Sequence, residues 1–197
     1  MAYVKTIYYP YEKIAAIAAN FLSKYHPADN YPTPIEEIIE FQLRMDIIPI
    51  PGLHKAFDVD GFLSSDLSSI SVDLDLSESR PGRYRFTLAH EVGHSVLHHE
   101  LYKQNKFSNI DNWRKFVASF PKDQYSWVEW HANVFAGLVL VPPAQLAKRY
   151  KYHAKQVKRL NIYNPEVALE AVSRFLAEDF VVSAEVIKRR LEKDRLV

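Results

Sequence analysis

The chain has 197 residues, a formal net charge of +1 and 48% hydrophobic residues, enough for a sizeable core and without an overall bias toward nucleic acid or an anionic membrane. It contains no cysteine, which excludes disulfides, thiolate metal sites and a cysteine nucleophile, and fits a reducing compartment.

In chain order, Met1–Pro10 is rich in Tyr and lacks a continuous apolar stretch, so no signal peptide is expected. After Pro10, residues Ile14, Ile17, Ala18, Phe21, Leu22 and Tyr25 recur at helical spacing until Pro27 stops the run. Thr33-Pro34-Ile35-Glu36 has the order of an N-cap, a first-position proline and an acidic first turn, and Ile35, Ile38, Ile39 and Leu43 predict a second, short helix. Met45–Ile50 predicts a strand ending at Pro51-Gly52. Phe57–Leu63 and Ser69–Leu76 alternate apolar and polar residues, with Ile70, Val72, Leu74 and Leu76 on one face and Ser71, Asp73 and Asp75 on the other. Three successive strands predict a small antiparallel meander covered by helices on one face.

Arg80-Pro81-Gly82 breaks the strand pattern, and a helix is expected from about Tyr84 to Leu101. Residues 102–125 are polar and aromatic, with a short helix around Asn112–Ser119 and a break at Pro121. A second long helix is expected from about Ser126 to Leu140, ended by Pro142-Pro143. The tail predicts helices from Pro143 to about Arg159, after Pro165 and from about Ser183. The longest apolar run, Val134–Pro143, is too short to span a bilayer, and a soluble cytoplasmic protein is expected. No repeat, low-complexity run or flexible linker divides the chain, so residues 1–197 read as one domain, with a core at about 80–143 and a helical part at about 144–197. Residues 1–143 carry 13 Lys/Arg against 17 Asp/Glu, and residues 144–197 carry 12 against 7. The basic end reads as a solvated helical surface. Direct DNA binding through Lys188–Arg190 and Arg195 is the less favoured alternative.

The chemistry is concentrated in His90-Glu91-Val92-Gly93-His94, an H-E-x-x-H pattern on the first long helix. Residues four apart lie on one helical face, so His90 and His94 can share one metal ion while Glu91 reaches a metal-bound water. This is the layout of a zinc hydrolase with Glu91 as general base. Such a site needs a third protein ligand and an open position. His98 cannot supply it, because on a continuous helix it lies ~12 Å along the axis from His90. His98 can instead back a ligand or line the cleft, although a packing or capping role near the helix end is slightly favoured. Residues 97 and 100 are Leu97 and Glu100, which excludes the extended three-histidine metzincin pattern.

The third ligand must come from another helix. Glu129, 35 residues after His94, is the best candidate, at the edge of the stripe formed by Val128, Ala132, Phe135 and Val139. The small residues Ala132, Ala136 and Gly137 allow close helix approach. Gly93, which costs about 1 kcal/mol in a helix, is easier to understand if another backbone packs against it. His131 is the rival, and since residues two apart on a helix differ by ~200°, His131 and Glu129 cannot both face the metal.

Two segments of this chain, Arg83–His98 with its Phe86-Thr87-Leu88-Ala89-His90-Glu91 run and Glu129–Ala136 followed by Leu138–Pro142, resemble the ImmA/IrrE family of metallopeptidases. The family pattern is an arginine-rich Phe-Thr-x-Ala-His-Glu-x-Gly-His-x-x-x-His helix and a later Glu-x-x-Ala-Asn-x-Phe-Ala helix that runs into a proline. The resemblance implies His90, His94 and Glu129 as zinc ligands, Glu91 as catalytic base, and an α+β fold with a thermolysin-like helical core and a small three-stranded antiparallel sheet. It also implies action on a transcriptional repressor or similar regulator, supplied as a separate partner. The first 44 residues are too short for the helix-turn-helix domain that some relatives carry. The mechanism expected is peptide hydrolysis, with Tyr84, Tyr125, His98 and His99 as alternative second oxyanion donors. A non-catalytic zinc-containing regulator that binds a transcription factor is the rival from another class.

Overall fold

The computed structural model describes residues 6–107 and 109–197. Residues 1–5, part of the stretch in which no signal peptide was read, lie outside the described residues. The chain runs α1 (Tyr11–Tyr25), α2 (Ile35–Glu37) continuing into a π-helical turn at Ile38–Gln42, β1 (Asp46–Ile50), α3 (Leu53–Phe57), β2 (Gly61–Leu63), β3 (Ser69–Asp73) and α4 (Leu74–Ser79). There follow α5 (Pro81–Leu97), α6 (His99–Gln104), α7 (Ile110–Ala118), α8 (Lys122–Leu140), α9 (Pro143–Arg159), α10 (Pro165–Phe180) and α11 (Ala184–Lys193). The α+β class and the long helices are as the sequence predicts.

The sheet departs from the expected meander. Its strand order is β1-β3-β2, with β2 antiparallel to β3 but β1 parallel to it, Ile47 opposite Ile70. A parallel pair needs a crossover, and the segment after Pro51-Gly52 supplies one by making α3 before β2. Phe57 therefore closes a helix instead of opening a strand. Because β3 is central, it is covered on both faces, and Ser71 and Asp73 are buried along with Ile70 and Val72. Asp73 is satisfied there by the His54 amide at 2.8 Å and by the Leu76 amide at 3.3 Å, as the N-cap of α4. That cap turns Leu74–Leu76 into helix rather than strand.

α5 starts with Pro81 in its first turn, where the missing N–H costs nothing. It is apolar or buried on nearly every side, from Arg85 to Leu97, because α8, β2, β3 and the α2 segment all pack on it. The helix expected to reach Leu101 stops at Leu97; His98 leaves helical geometry, and α6 restarts the chain at His99. α8 begins at Lys122, a turn before the expected Ser126. A Cβ on Gly93 would stand 3.1 Å from the Ala132 Cα and 3.2 Å from the Ala132 carbonyl oxygen, so the two backbones nearly touch at this crossing.

The tail closes over α8. Arg149 pairs with Asp179 at 2.7 Å, and His153 reaches the same carboxylate at 2.7 Å, joining α9 to α10. Arg190, although basic, is buried; it donates to the Gly137 carbonyl at 2.8 Å and pairs with Asp194 at 2.7 Å. Lys188 and Arg189 pair with Glu170 and Glu185. Of the four basic residues considered for DNA contact, Lys188, Arg189 and Arg190 thus have acidic partners. Among the described residues no helix is long and apolar enough to cross a membrane.

The crossing makes a stability prediction. Gly93→Val improves no packing and forces α8 outward, and we expect a loss of about 1–3 kcal/mol in urea denaturation. An unchanged midpoint would show that the helices have slack at this point.

Candidate metal centre

α5 and α8 bring the three expected ligands together. His90 Nε2 and His94 Nε2 lie 2.9 Å apart, one turn from each other on α5. Glu129 meets them from α8, with Oε2 3.4 Å from His90 Nε2 and Oε1 3.4 Å from His94 Nε2. Potential ligand atoms of His90, Glu91 and His94 also lie within 4.8 Å of one another, so two carboxylates adjoin the histidine pair. Two imidazole nitrogens and carboxylate oxygens converging on one point form a donor set suited to a divalent ion such as zinc. The residues present fit that group.

The carboxylates are held differently. Glu129 has one oxygen directed to each histidine. Burial alone would raise its pKa, but hydrogen bonds from His90 and His94 outweigh burial and hold it well below the usual carboxylate range. Glu91 is buried and held above that range, chiefly by desolvation, although the charges of His94 and His90 and a hydrogen bond from the Leu63 amide oppose the shift. Two carboxylates driven apart in this way suit separate roles, one anionic and one proton-carrying. For His90, burial disfavours the charged ring, but the Glu129 hydrogen bond and the charges of Glu91 and Glu129 prevail and raise its pKa.

A second set of contacts orients the rings. Asn133, one turn beyond Glu129, places Oδ1 3.2 Å from His90 Nδ1. That contact calls for a proton on Nδ1 and frees Nε2 as the lone-pair donor. His94 Nδ1 lies 3.1 Å from His98 Nδ1, and His98 Nε2 lies 3.2 Å from His131 Nδ1. The Tyr9 amide donates to His131 Nε2 at 3.0 Å. His98 is therefore neither ligand nor oxyanion donor; it ends α5 and backs His94. His131, the rival ligand, points away from Glu129 into the same file of rings. Burial pushes the pKa of His98 down to about 2 and lowers that of His131.

The centre opens into a cavity of about 360 Å³ lined by α5, α8 and the stretch between β1 and β2. Among the four proposed oxyanion donors, only Tyr125 lines it. Its hydroxyl bonds to Glu129, and burial drives its pKa far up, so it keeps its proton. Tyr84 sits near Glu36 and Glu40 instead, its pKa pushed up to about 12 mainly by burial. His99 is exposed on α6 and does not line the cavity. Sequence reasoning missed Tyr102, Trp113, His54, Asp60 and Arg83, all of which line it. Arg83 grips Asp60 through Nε at 2.6 Å and Nη2 at 2.8 Å, and His54 Nδ1 lies 2.9 Å from the same carboxylate. No motif or periodicity marks these residues; the local crossover brings them to the rim. A larger cavity of about 1010 Å³ lies beside the sheet, with no histidine and only Asp66 as a carboxylate.

The Peptidase M78 family model, described as the IrrE N-terminal-like domain, matches residues 75–192, more than half of the chain. Among solved structures, a Mycobacterium tuberculosis transcriptional regulator superposes with a TM-score of 0.53 at 15% identity, over 91% of this chain and 46% of that one. That likeness is one of fold, and this chain spans about half of the regulator's length. No curated protein is similar enough to this chain to count as a relative.

The buried ring of His98 predicts a pH dependence for the metal-free protein. His98 takes its proton in the unfolded chain near 6.5 but in the native state only near 2. Stability is therefore full above the unfolded value and falls as pH drops below it, by about 1.4 kcal/mol per pH unit for each such group. Urea denaturation at pH 6 and pH 5 should show this slope, reduced in His98→Gln. An equal slope in the variant would assign the loss elsewhere.

Proposed function

We propose, for a chain that belongs to the Peptidase M78 family of IrrE N-terminal-like domains, a zinc-dependent endopeptidase that cleaves a protein substrate, a DNA-binding repressor or related cytoplasmic regulator. Residues 1–197 form one metallopeptidase domain in this reading. The observation that carries it is the convergence of His90, His94 and Glu129, from two helices, at the floor of an open cavity.

His90 and His94 would hold the ion through Nε2, and Glu129 through its carboxylate. Zinc bound there supplies Lewis-acid polarisation of a peptide carbonyl and acidifies water. The chain's own groups do the rest. Glu91, buried and braced by the Leu63 amide, takes a proton from the attacking water as its oxygen bonds to the carbonyl carbon. It returns the proton to the amide nitrogen as the C–N bond breaks. Tyr125, protonated and in the same cavity, would turn its O–H from Glu129 toward the developing oxyanion. Asn133 and His98 keep the two imidazoles aimed.

Two substitutions separate the roles. Glu91→Gln should retain zinc at the wild-type stoichiometry while cleavage falls on the order of 10²–10⁴-fold. Glu129→Ala should lose zinc in metal analysis by mass spectrometry. Incubation of the zinc-loaded protein with candidate DNA-binding regulators from the same genome, followed by mass spectrometry, should yield two new fragments of one of them. An intact complex with no fragments would favour a non-catalytic regulator, and cleavage by Glu91→Gln would remove Glu91 from its assigned role.

A further inference from the structure

Next to the metal centre lies a second cavity, of about 330 Å³, that the reaction above does not use. Its floor is Phe86 of α5 with Trp130, Val134 and Gly137 of α8, and α11 contributes Glu185, Arg189, Arg190 and Lys193 to its wall. Phe86 and Asn133 line both cavities. Asn133 also holds the His90 ring, so the two spaces meet on the flank of the centre.

The charges on the wall are not equivalent. Arg190 is buried and engaged with Gly137 and Asp194. Arg189 is paired with Glu185 at 2.9 Å. Lys193 makes no ion pair among the described residues; its Nζ rests 4.3 Å from the centroid of the Tyr11 ring. One uncompensated cation thus stands beside an aromatic and aliphatic floor.

Gly137 adds an independent observation. A Cβ there would meet only the Arg190 Cδ, at 3.5 Å, which is ordinary contact. Packing does not require glycine at this position, yet glycine in a helix costs ~1 kcal/mol relative to alanine. The absent side chain leaves open part of the cavity floor.

We propose that this cavity is a substrate subsite that takes an apolar, by preference aromatic, side chain of the cleaved protein, with an adjacent acidic residue facing Lys193. A mostly apolar pocket with one convergent charge orients a ligand in this way. The assignment rests on the peptidase reading for its purpose, but not for its test.

The test uses zinc-loaded Glu91→Gln protein and two blocked dipeptides, acetyl-Phe-Asp-amide and acetyl-Phe-Lys-amide, followed by NMR. The Phe-Asp probe should shift the Trp130 indole resonance and bind about fivefold more tightly than Phe-Lys, the upper end of what an exposed ion pair contributes. Lys193→Glu, an exposed substitution, should invert that order, and Lys193→Gln should abolish it. Equal binding of both probes, or no response at Trp130, overturns the subsite. A Lys193-dependent response, together with no cleavage of any peptide by the zinc-loaded wild-type protein, would uphold the subsite and sink the peptidase reading. Cleavage of a peptide library without preference for acidic residues would do the reverse.

Discussion

The backbone contact between Gly93 and Ala132 sets the separation of α5 and α8, and the proposed chemistry depends on that separation. Metal–ligand bonds of ~2 Å tolerate errors of only a few tenths of an ångström. A side chain at position 93 would reach 3.1 Å from the Ala132 Cα, so the helices could not sit as they do. Glu129 lies one turn-step from Ala132 on α8, and its oxygens stand 3.4 Å from both imidazoles only because the crossing is this close. The unfavourable helix propensity of glycine is offset by the position it gives to a residue on the opposite helix.

Around that contact the site is layered. The inner layer is the histidine pair with Glu129 and Glu91; behind it stand Asn133 for one ring, and His98 and His131 for the other. Burial gives each contact its weight, since a ring or carboxylate removed from water has few alternative partners. The same burial separates the two carboxylates. Glu129 is charged because two histidines compensate its desolvation, whereas Glu91 receives one backbone amide and stays easier to protonate.

Much of this was legible before any coordinates. Helical spacing marked α1, α5 and α8, and the i, i+4 rule put His90 and His94 on one face. The small residues of α8 pointed to a close partner helix, and the place of Glu129 at the edge of the apolar stripe, with the family resemblance, put it ahead of His131. The failures share a cause: tertiary context overrode a local pattern. The alternation of Ser69–Leu76 is that of a half-exposed strand, but the central position of β3 buried both faces and the Asp73 cap made a helix of its second half. Strand direction is not encoded in alternation, so a parallel β1 could not be seen. The break at His98 follows from its contacts with His94 and His131, not from a proline or glycine. Rim residues such as His54 and Tyr102 lie in stretches with no periodicity, and only the folded crossover shows where they go.

The proposed ligands come from segments separated by a long intervening stretch, and that stretch is itself folded. Tyr102, Phe107, Phe116 and Phe120 form a chain of ring contacts between α5 and α8. In an unfolded chain the histidine pair has no carboxylate partner at hand, so in the proposed centre high-affinity metal binding would require the fold that brings α8 into place. If the proposed ion binds there, thermodynamic linkage makes the relation mutual: whatever loosens the aromatic insert would weaken retention of the ion, and the ion would in turn stabilise the insert.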